Sequence, residues 1–480
     1  MPNTITIRKG LDIPMDGAAE LRLTDARSIT TYAVKPTDFV GLTPRLVVEE
    51  GDMVRVGDAL FVDKRDERIR FTSPVNGCVK AIVRGEKRKL LEVVVEADYK
   101  SAGSMGSDCK SSPTSTMQTA EEIKEAMLRW GLWPMLRQRP FGTIAKPDDK
   151  PKAIFVSAFD STPLAPDYDF VLQGREEWFK KGLQALAKLT DGKVHVCFRP
   201  NQNIAKQLNN LTTEQLTTHY IKGPHPSGNI GTQIAQIDPI NKGEVVWTMN
   251  AQDVAVLGEL VATGVYRPEK VIAVAGPQTN NPHYYRIWSG ACMESIVAAQ
   301  VPNVDYPKME TVATNYRIIS GNVLSGTQIA IDGFIGAYDS MITLLPEGNQ
   351  PEFMGWLMPG LKKFSFSRTF LSGFMPKSTF KPFGIQSPRF ERFWRYDTNL
   401  HGEERPFVVT GEFEKVFPFD IYPLQLIKAC LIGDFDLMEN LGIYEVEPED
   451  FALCEFIDTS KTDIQTIIRN GLELARKENE

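Results

Sequence analysis

Six cysteines, five histidines and one glycine-rich loop are the residues of this 480-residue chain with the most obvious chemical potential. The cysteines are Cys78, Cys109, Cys197, Cys292, Cys430 and Cys454, and none lies within four residues of another. A structural zinc or an iron–sulfur cluster is normally built on close cysteine pairs. No such pair exists, so the sequence predicts no metal ligand and no cluster. A disulfide framework does not suit a long chain without a secretory leader, and the thiols read as small buried apolar groups.

The histidines give the same answer. His219 and His225 are six apart, which is neither one helical face nor a tight turn pair. His195 falls in an alternating strand, and His283 and His401 are isolated. The loop "GPHPSGNIGTQIAQIDP" (223–239) looks at first like a phosphate cradle. A Walker loop needs Lys after its glycine, and here Asn229 follows Gly228 and Thr232 follows Gly231. A dinucleotide fingerprint needs G-x-G-x-x-G after the first strand of its sheet. The segment that does follow that strand, "DSTPLAPDYD", has no glycine and three acids that would repel pyrophosphate. No G-x-S-x-G elbow points to a serine nucleophile. The sequence therefore assigns no catalytic residue and no cofactor-binding residue to this chain.

Two charged stretches stand out. "RGEKRK" (84–89) is a basic hairpin tip, and residues 433–458 hold nine acids with no Lys or Arg. The acidic stretch reads as a solvated face or as a docking surface for a partner. It lacks the ligand spacing of a calcium loop.

These residues need elements to hold them. Residues 1–100 carry short β-branched runs between Gly51-Asp52, Gly57-Asp58 and Asn76-Gly77, and predict a small sandwich or barrel with a hairpin turn at Asn76-Gly77. Residues 101–118, rich in Ser and Gly, read as a linker. Thr119 and Glu122 open a helix as a capping box, and Gly131 can close it. The strand run 152–159, the helical face of Phe179, Leu183 and Leu186, and the strand run 193–198 form a βαβ unit with a parallel sheet, placing an α/β domain at 119–262. Residues 263–330 read as a compact α+β domain. Residues 331–420, rich in Phe, Gly and Pro, show no clear period. The tail, 421–480, is helical. Thr462 and Gln465 suggest a capping box there, and Ile464, Ile467, Ile468, Leu472 and Ala475 share one face.

The totals agree with a soluble or peripheral cytoplasmic protein of about three domains. Hydrophobic residues make up 42% and charged residues 24%. A net charge of −7 argues against nucleic acid as a partner. No run approaches the ~18 apolar residues of a membrane span.

The pattern "VEEGDMVRVGDALFVDK…SPVNGCV" is similar to lipoyl- and biotinyl-type barrel-sandwich domains. Their modified lysine sits eight residues before the return-strand proline. Lys64 stands ten before Pro74 among four further charges, and reads as a solvated loop residue. Taken in order, "DFVGLTPRLVVEEGDMVRVGDALFVDK", "IVRGEKRKLLEVVVE", "RQRPFGTI", "GPHPSGNIGT", "VVWTMNAQDVAVLG", "ISGNVLSG", "FMGWLMPG" and "FPFDIYPLQLIKACLIGDFD" resemble the A subunit of the sodium-translocating NADH:quinone reductases over nearly the whole chain.

That resemblance implies a multidomain α/β and β architecture. It consists of a barrel-sandwich hybrid N-terminal domain, a Rossmann-like α/β domain, a β-grasp domain of the soluble-ligand-binding type and a helical C-terminal tail. It implies a peripheral subunit on the cytoplasmic face of the bacterial inner membrane, in a six-subunit complex that passes electrons from NADH to quinone and exports sodium. FAD, FMN, riboflavin and iron–sulfur centres would sit on partner subunits, and none on this chain. Quinone is the ligand the resemblance suggests. The stretch "RWGLWPMLRQRPFG" offers it Trp133, Phe141 and Arg139, an apolar wall with a donor. The competing readings are a stand-alone ligand-binding module and a diaphorase with its own flavin.

Overall fold

The computed structural model describes residues 4–26, 29–98, 117–208, 214–301, 316–349, 353–355, 357–360, 363–367, 370–371, 394 and 396–479. Cys109 and all of the expected linker except 117 and 118 lie outside these residues.

Turn chemistry shapes the N-terminal barrel. Gly51 and Gly57 take φ of 94° and 89°, and the carboxylates of Asp52 and Asp58 accept from the amides of Glu49 and Arg55 at 2.8 Å. These turns bring together a four-stranded sheet (Thr31–Val34, Leu90–Ala97, Gly77–Arg84, Met53–Val54) and a three-stranded sheet (Pro44–Leu46, Ala59–Asp63, Arg70–Thr72). Leu60, Phe61, Phe71, Val93 and Val95 form their common core. The hairpin expected at Asn76-Gly77 is absent. Gly77 begins a strand, and its missing side chain lets the backbone of Glu96 approach. Asn76 instead accepts from the Val56 amide at 2.8 Å.

Two short strands at the start of residues 1–100 pair outside the barrel. Thr4–Thr6 runs parallel to Leu216–Lys222, and Glu20–Asp25 pairs with His283–Trp288. Both are edge strands of other sheets. Short polar strands of this kind carry no mark of which edge they will complete.

The central sheet has seven strands, in the order Thr4–Thr6, Leu216–Lys222, Lys193–Phe198, Ala153–Ser157, Val246–Thr248, Arg137–Arg139 and Thr143–Ile144. The first five are mutually parallel, Arg137–Arg139 runs antiparallel to them, and Thr143–Ile144 pairs antiparallel with Arg137–Arg139. From Ala153–Ser157 the chain steps outward twice, then crosses back to Val246–Thr248 on the other side. Ligands of open parallel sheets bind beyond the carboxyl ends of the strands at such a reversal. Helices Glu176–Leu186 and Ala251–Thr263 pack closely together. A Cβ on Gly182 or Gly258 would overlap a backbone carbonyl of the other helix.

A six-stranded mixed sheet follows, ordered Thr327–Ile329, Tyr316–Ser320, Met341–Pro346, Glu269–Ala275, His283–Trp288 and Glu20–Asp25. It extends past residue 330, because the apolar run Met341–Pro346 is buried between two partner strands. The tail folds on Phe417, Leu426, Phe451, Cys454, Ile468 and Leu472. Of the five residues expected on its last helical face, all but the partly buried Ile467 are fully buried. The cap of that helix is Asp463, whose Oδ1 accepts from the amide of Thr466 at 3.1 Å, and not Thr462. Gln465 turns away, its side-chain amide donating to the Leu324 carbonyl at 2.9 Å.

Candidate functional site

A cleft of about 400 Å³ opens where the strand order reverses. One wall is the carboxyl edge of the central sheet, with Ser157, Phe159 and Asp160 from one side of the reversal and Thr248, Met249 and Asn250 from the other. Tyr338 and Asp339 close it from the six-stranded sheet, and Glu447, Glu449 and Arg469 from the tail.

The loop at 223–229 is a brace for this cleft. Ser161 Oγ hydrogen-bonds His225 Nδ1 at 3.0 Å and accepts from the amide of Gly228 at 2.7 Å. The amide of His225 donates to Asp12 at 2.9 Å. Gly228 must be glycine, since a Cβ would overlap the backbone of Ser161. Burial holds His225 down to about 4, so the imidazole is neutral at pH 7. Burial also raises the carboxyl of Asp160, against the opposing hydrogen bond from the Thr162 amide. Ser161 is thus held as a structural hydroxyl between two loops.

His195 and His219, unrelated in the sequence, meet on neighbouring strands with ring nitrogens 2.9 Å apart. Both are buried, and burial pushes His195 down to about 4. Among the described residues, no group of three or more His, Cys, Asp or Glu side chains is placed to hold a metal ion. Lys64 is exposed on the loop between strands Ala59–Asp63 and Arg70–Thr72.

The three residues expected at a quinone site fall in different places. Trp133 is 1% exposed; its indole N–H donates to the Ala145 carbonyl at 2.8 Å and its ring meets Trp247 edge-on at 5.6 Å. Arg139 is 3% exposed and donates to Asp450 at 3.1 Å and Glu449 at 2.6 Å. Phe141 packs edge-on against Tyr444 at 5.9 Å, and its carbonyl accepts from Arg469 at 2.9 Å. Arg139 and Phe141 are therefore joined through the tail, while Trp133 lies in the core. Residues flanking them line the cleft itself, namely Met135, Arg137 and Gly142. Arg137 lies over the Tyr338 ring at 5.1 Å. Asp38 and Met135 also line a second cavity of about 70 Å³, so this connector is a wall between two spaces.

The tail acids were not legible as part of a site. Glu447, Glu449 and Asp450 belong to the acidic stretch expected at the surface or against a partner. They turn inward to Arg139 and Arg469. Burial pushes the Asp450 carboxyl up to about 7 even though Arg139 pulls it down. Burial works against the charge of Arg139, but the three carboxylates outweigh it and raise its pKa. A local signal did exist: Glu447 and Asp450 reciprocally cap the short helix Pro448–Phe451, which fixes Asp450 facing back into the chain.

The fold defines a class: a barrel-sandwich domain joined to α/β domains and a helical tail, with a cleft at the reversal of a parallel sheet. Three family descriptions match in order: "NqrA N-terminal barrel-sandwich hybrid domain" over residues 5–98, "NqrA second alpha/beta domain" over 118–266 and "NQRA C-terminal domain" over 271–330. NqrA subunits of Na(+)-translocating NADH-quinone reductases are similar along the full length. That of Yersinia pseudotuberculosis is 35% identical over 475 residues, covering 99% of this chain and 100% of the relative. Those of Serratia proteamaculans and Neisseria meningitidis serogroup B are each 36% identical with the same coverage. A solved NAD+-reducing [NiFe]-hydrogenase matches 47% of each chain at 15% identity and a TM-score of 0.32, and carries no argument. The chain belongs to the NqrA family of the Na(+)-translocating NADH-quinone reductases. Among the described residues, no helix is long and apolar enough to cross a membrane.

Proposed function

We propose that this chain serves as the cofactor-free NqrA subunit of a Na(+)-translocating NADH-quinone reductase, peripheral on the cytoplasmic face of the bacterial inner membrane. NADH and quinone are the substrates of that complex. Partner subunits, including a membrane subunit, carry its FAD, FMN, riboflavin and iron–sulfur centres. The full-length similarity to proteins of that name carries this reading. In it the central sheet is Rossmann-like, as its order of parallel strands suggests, and the six-stranded sheet is of β-grasp type. The test is co-purification: an affinity-tagged chain should draw the membrane subunits of the reductase from detergent-solubilised membranes. A chain recovered alone, or with a flavin absorption band of its own, refutes the assignment.

The same reading includes a part in quinone binding. A cleft of about 400 Å³ has the size for a quinone head group. Val40, Met135 and Met249 would supply apolar contact, and Arg137 and Asn250 donors for the carbonyls. Arg139 and Phe141 act by holding the tail wall, and Trp133 by supporting the connector from behind. Replacing Arg137 by Gln should weaken a quinone analogue about tenfold, and replacing Trp133 by Phe or Arg139 by Lys should weaken it less. Unchanged affinity in all three variants removes the quinone reading.

A further inference from the structure

Of the large hydrophobic side chains exposed among the described residues, five fall between 353 and 371: Phe353, Met354, Leu357, Met358 and Leu371. Phe353 is 88% exposed and Met358 61%. Tight turns gather them. The amide of Leu357 donates to the Met354 carbonyl at 2.9 Å and that of Met358 to the Gly355 carbonyl at 3.3 Å, so four of the five share two overlapping turns. The Leu371 amide donates to the Pro359 carbonyl at 3.0 Å, which brings the fifth beside them. Gly360 lies so close to the Phe370 ring that a Cβ would overlap it. The Lys363 ammonium stands 5.5 Å from the centre of that ring.

Charge marks the same stretch. Residues 353–371 include Lys362, Lys363 and Arg368 and no acid, in a chain of net charge −7. The sequence from 353 to 395 holds eight Lys and Arg against the single acid Glu391. Acids return at Asp397, Glu403 and Glu404, towards the side where the His401 ring lies 6.4 Å from Phe370. A contiguous exposed apolar patch marks a contact surface. Apolar side chains flanked by cations alone match the boundary of an anionic bilayer: the side chains enter between headgroups and acyl chains, and the cations meet the phosphates. The exposed Leu431, Ile432 and Leu437 of the tail lack this match, because the exposed Asp434 and Asp436 stand beside them.

We propose that the turns at 353–358, with Leu371 and Lys363, form a direct contact of this chain with an anionic lipid surface. The proposal rests on the peripheral placement given above and adds lipid contact to it. The rest of the chain is net acidic and is repelled by such a surface, so this patch also sets which side faces the bilayer.

The experiment sediments the full chain with two kinds of vesicle, phosphatidylcholine alone and equal parts phosphatidylcholine and phosphatidylglycerol. The chain should bind the anionic vesicles more tightly, and added salt should weaken that binding. Replacing Phe353, Leu357 and Met358 together by Ser should weaken binding to the anionic vesicles at least about tenfold. Replacing Lys363 by Gln should weaken it about fivefold, and only where phosphatidylglycerol is present. Met53→Ser, an exposed apolar position on the barrel, should change nothing. All of these side chains but Lys363 are exposed, and Lys363 lies in the same surface turns, so the variants should keep the wild-type thermal midpoint. Absence of vesicle binding by the wild type overturns the proposal, as does equal binding by the triple variant. A wild type that ignores vesicles, with a triple variant that no longer draws down the membrane subunits, makes the patch a protein contact and refutes lipid as its occupant. A wild type that binds vesicles but draws down no membrane subunit sinks the assignment to the complex and leaves the lipid contact standing.

Discussion

Replacing Arg139 by Met removes a guanidinium but keeps most of the side chain's length. Its consequence can be worked through at two pH values. Arg139 and Asp450 are buried, and Glu449 is partly exposed at 31%. At pH 6 the Asp450 carboxyl, with its pKa near 7, is already mostly protonated in the intact chain. The variant then loses mainly the charged hydrogen bond to Glu449, about 2 kcal/mol. At pH 8 Asp450 is ionised in the intact chain, and the variant must protonate it rather than bury a bare charge. That protonation makes the loss larger at pH 8 than at pH 6, on the order of 3 kcal/mol. The loss should be local to the tail. Hydrogen exchange of helix Ile464–Asn479, corrected for intrinsic rates, is the suitable assay. Protection there should fall by roughly a hundredfold or more at pH 8 and by clearly less at pH 6. A loss under ~1 kcal/mol at pH 8, or one independent of pH, would refute the claim that this arginine neutralises a buried carboxyl.

Because the folded Asp450 has a raised pKa, its contribution favours the folded tail below pH ~4 and is lost as pH rises through about 7; Asp450→Asn should flatten that slope in the same exchange measurement. His225 has the opposite sign. Held near 4 against an ordinary 6.5, it should cost roughly 3 kcal/mol of stability as pH falls from 6.5 to 4, a loss that urea unfolding should find absent in His225→Asn. Gly231→Ala should push Asp450 from the helix start and expose the tail to limited proteolysis, whereas Gly243→Ala, which meets no neighbour, should not. Cys197 and Cys454 are fully buried with thiols raised by burial, so a maleimide should label Cys78 well before either; equal rates would contradict the packing.

Local chemistry was legible in the residues themselves. Thr119, Glu122 and Gly131 cap their helix as their types require, and Gly51 and Gly57 turn the barrel strands. The cysteine spacing and the glycine-poor loop after Ala153–Ser157 carried the argument against a resident cofactor, because ligand spacing is a property of the chain before it folds. The order of motifs pointed to the family to which the full-length similarity assigns the chain.

What tertiary structure decided was who meets whom. Residues 4–6 and 20–25 pair with the distant strands Leu216–Lys222 and His283–Trp288, and His195 finds His219 across two strands. Asp450 crosses 311 positions to reach Arg139, turning part of an apparently solvated acidic run into a buried latch. Periodicity reports which face of an element is buried. It does not report which distant edge or charge will cover that face, since that depends on the shape of the whole chain once its cores have formed.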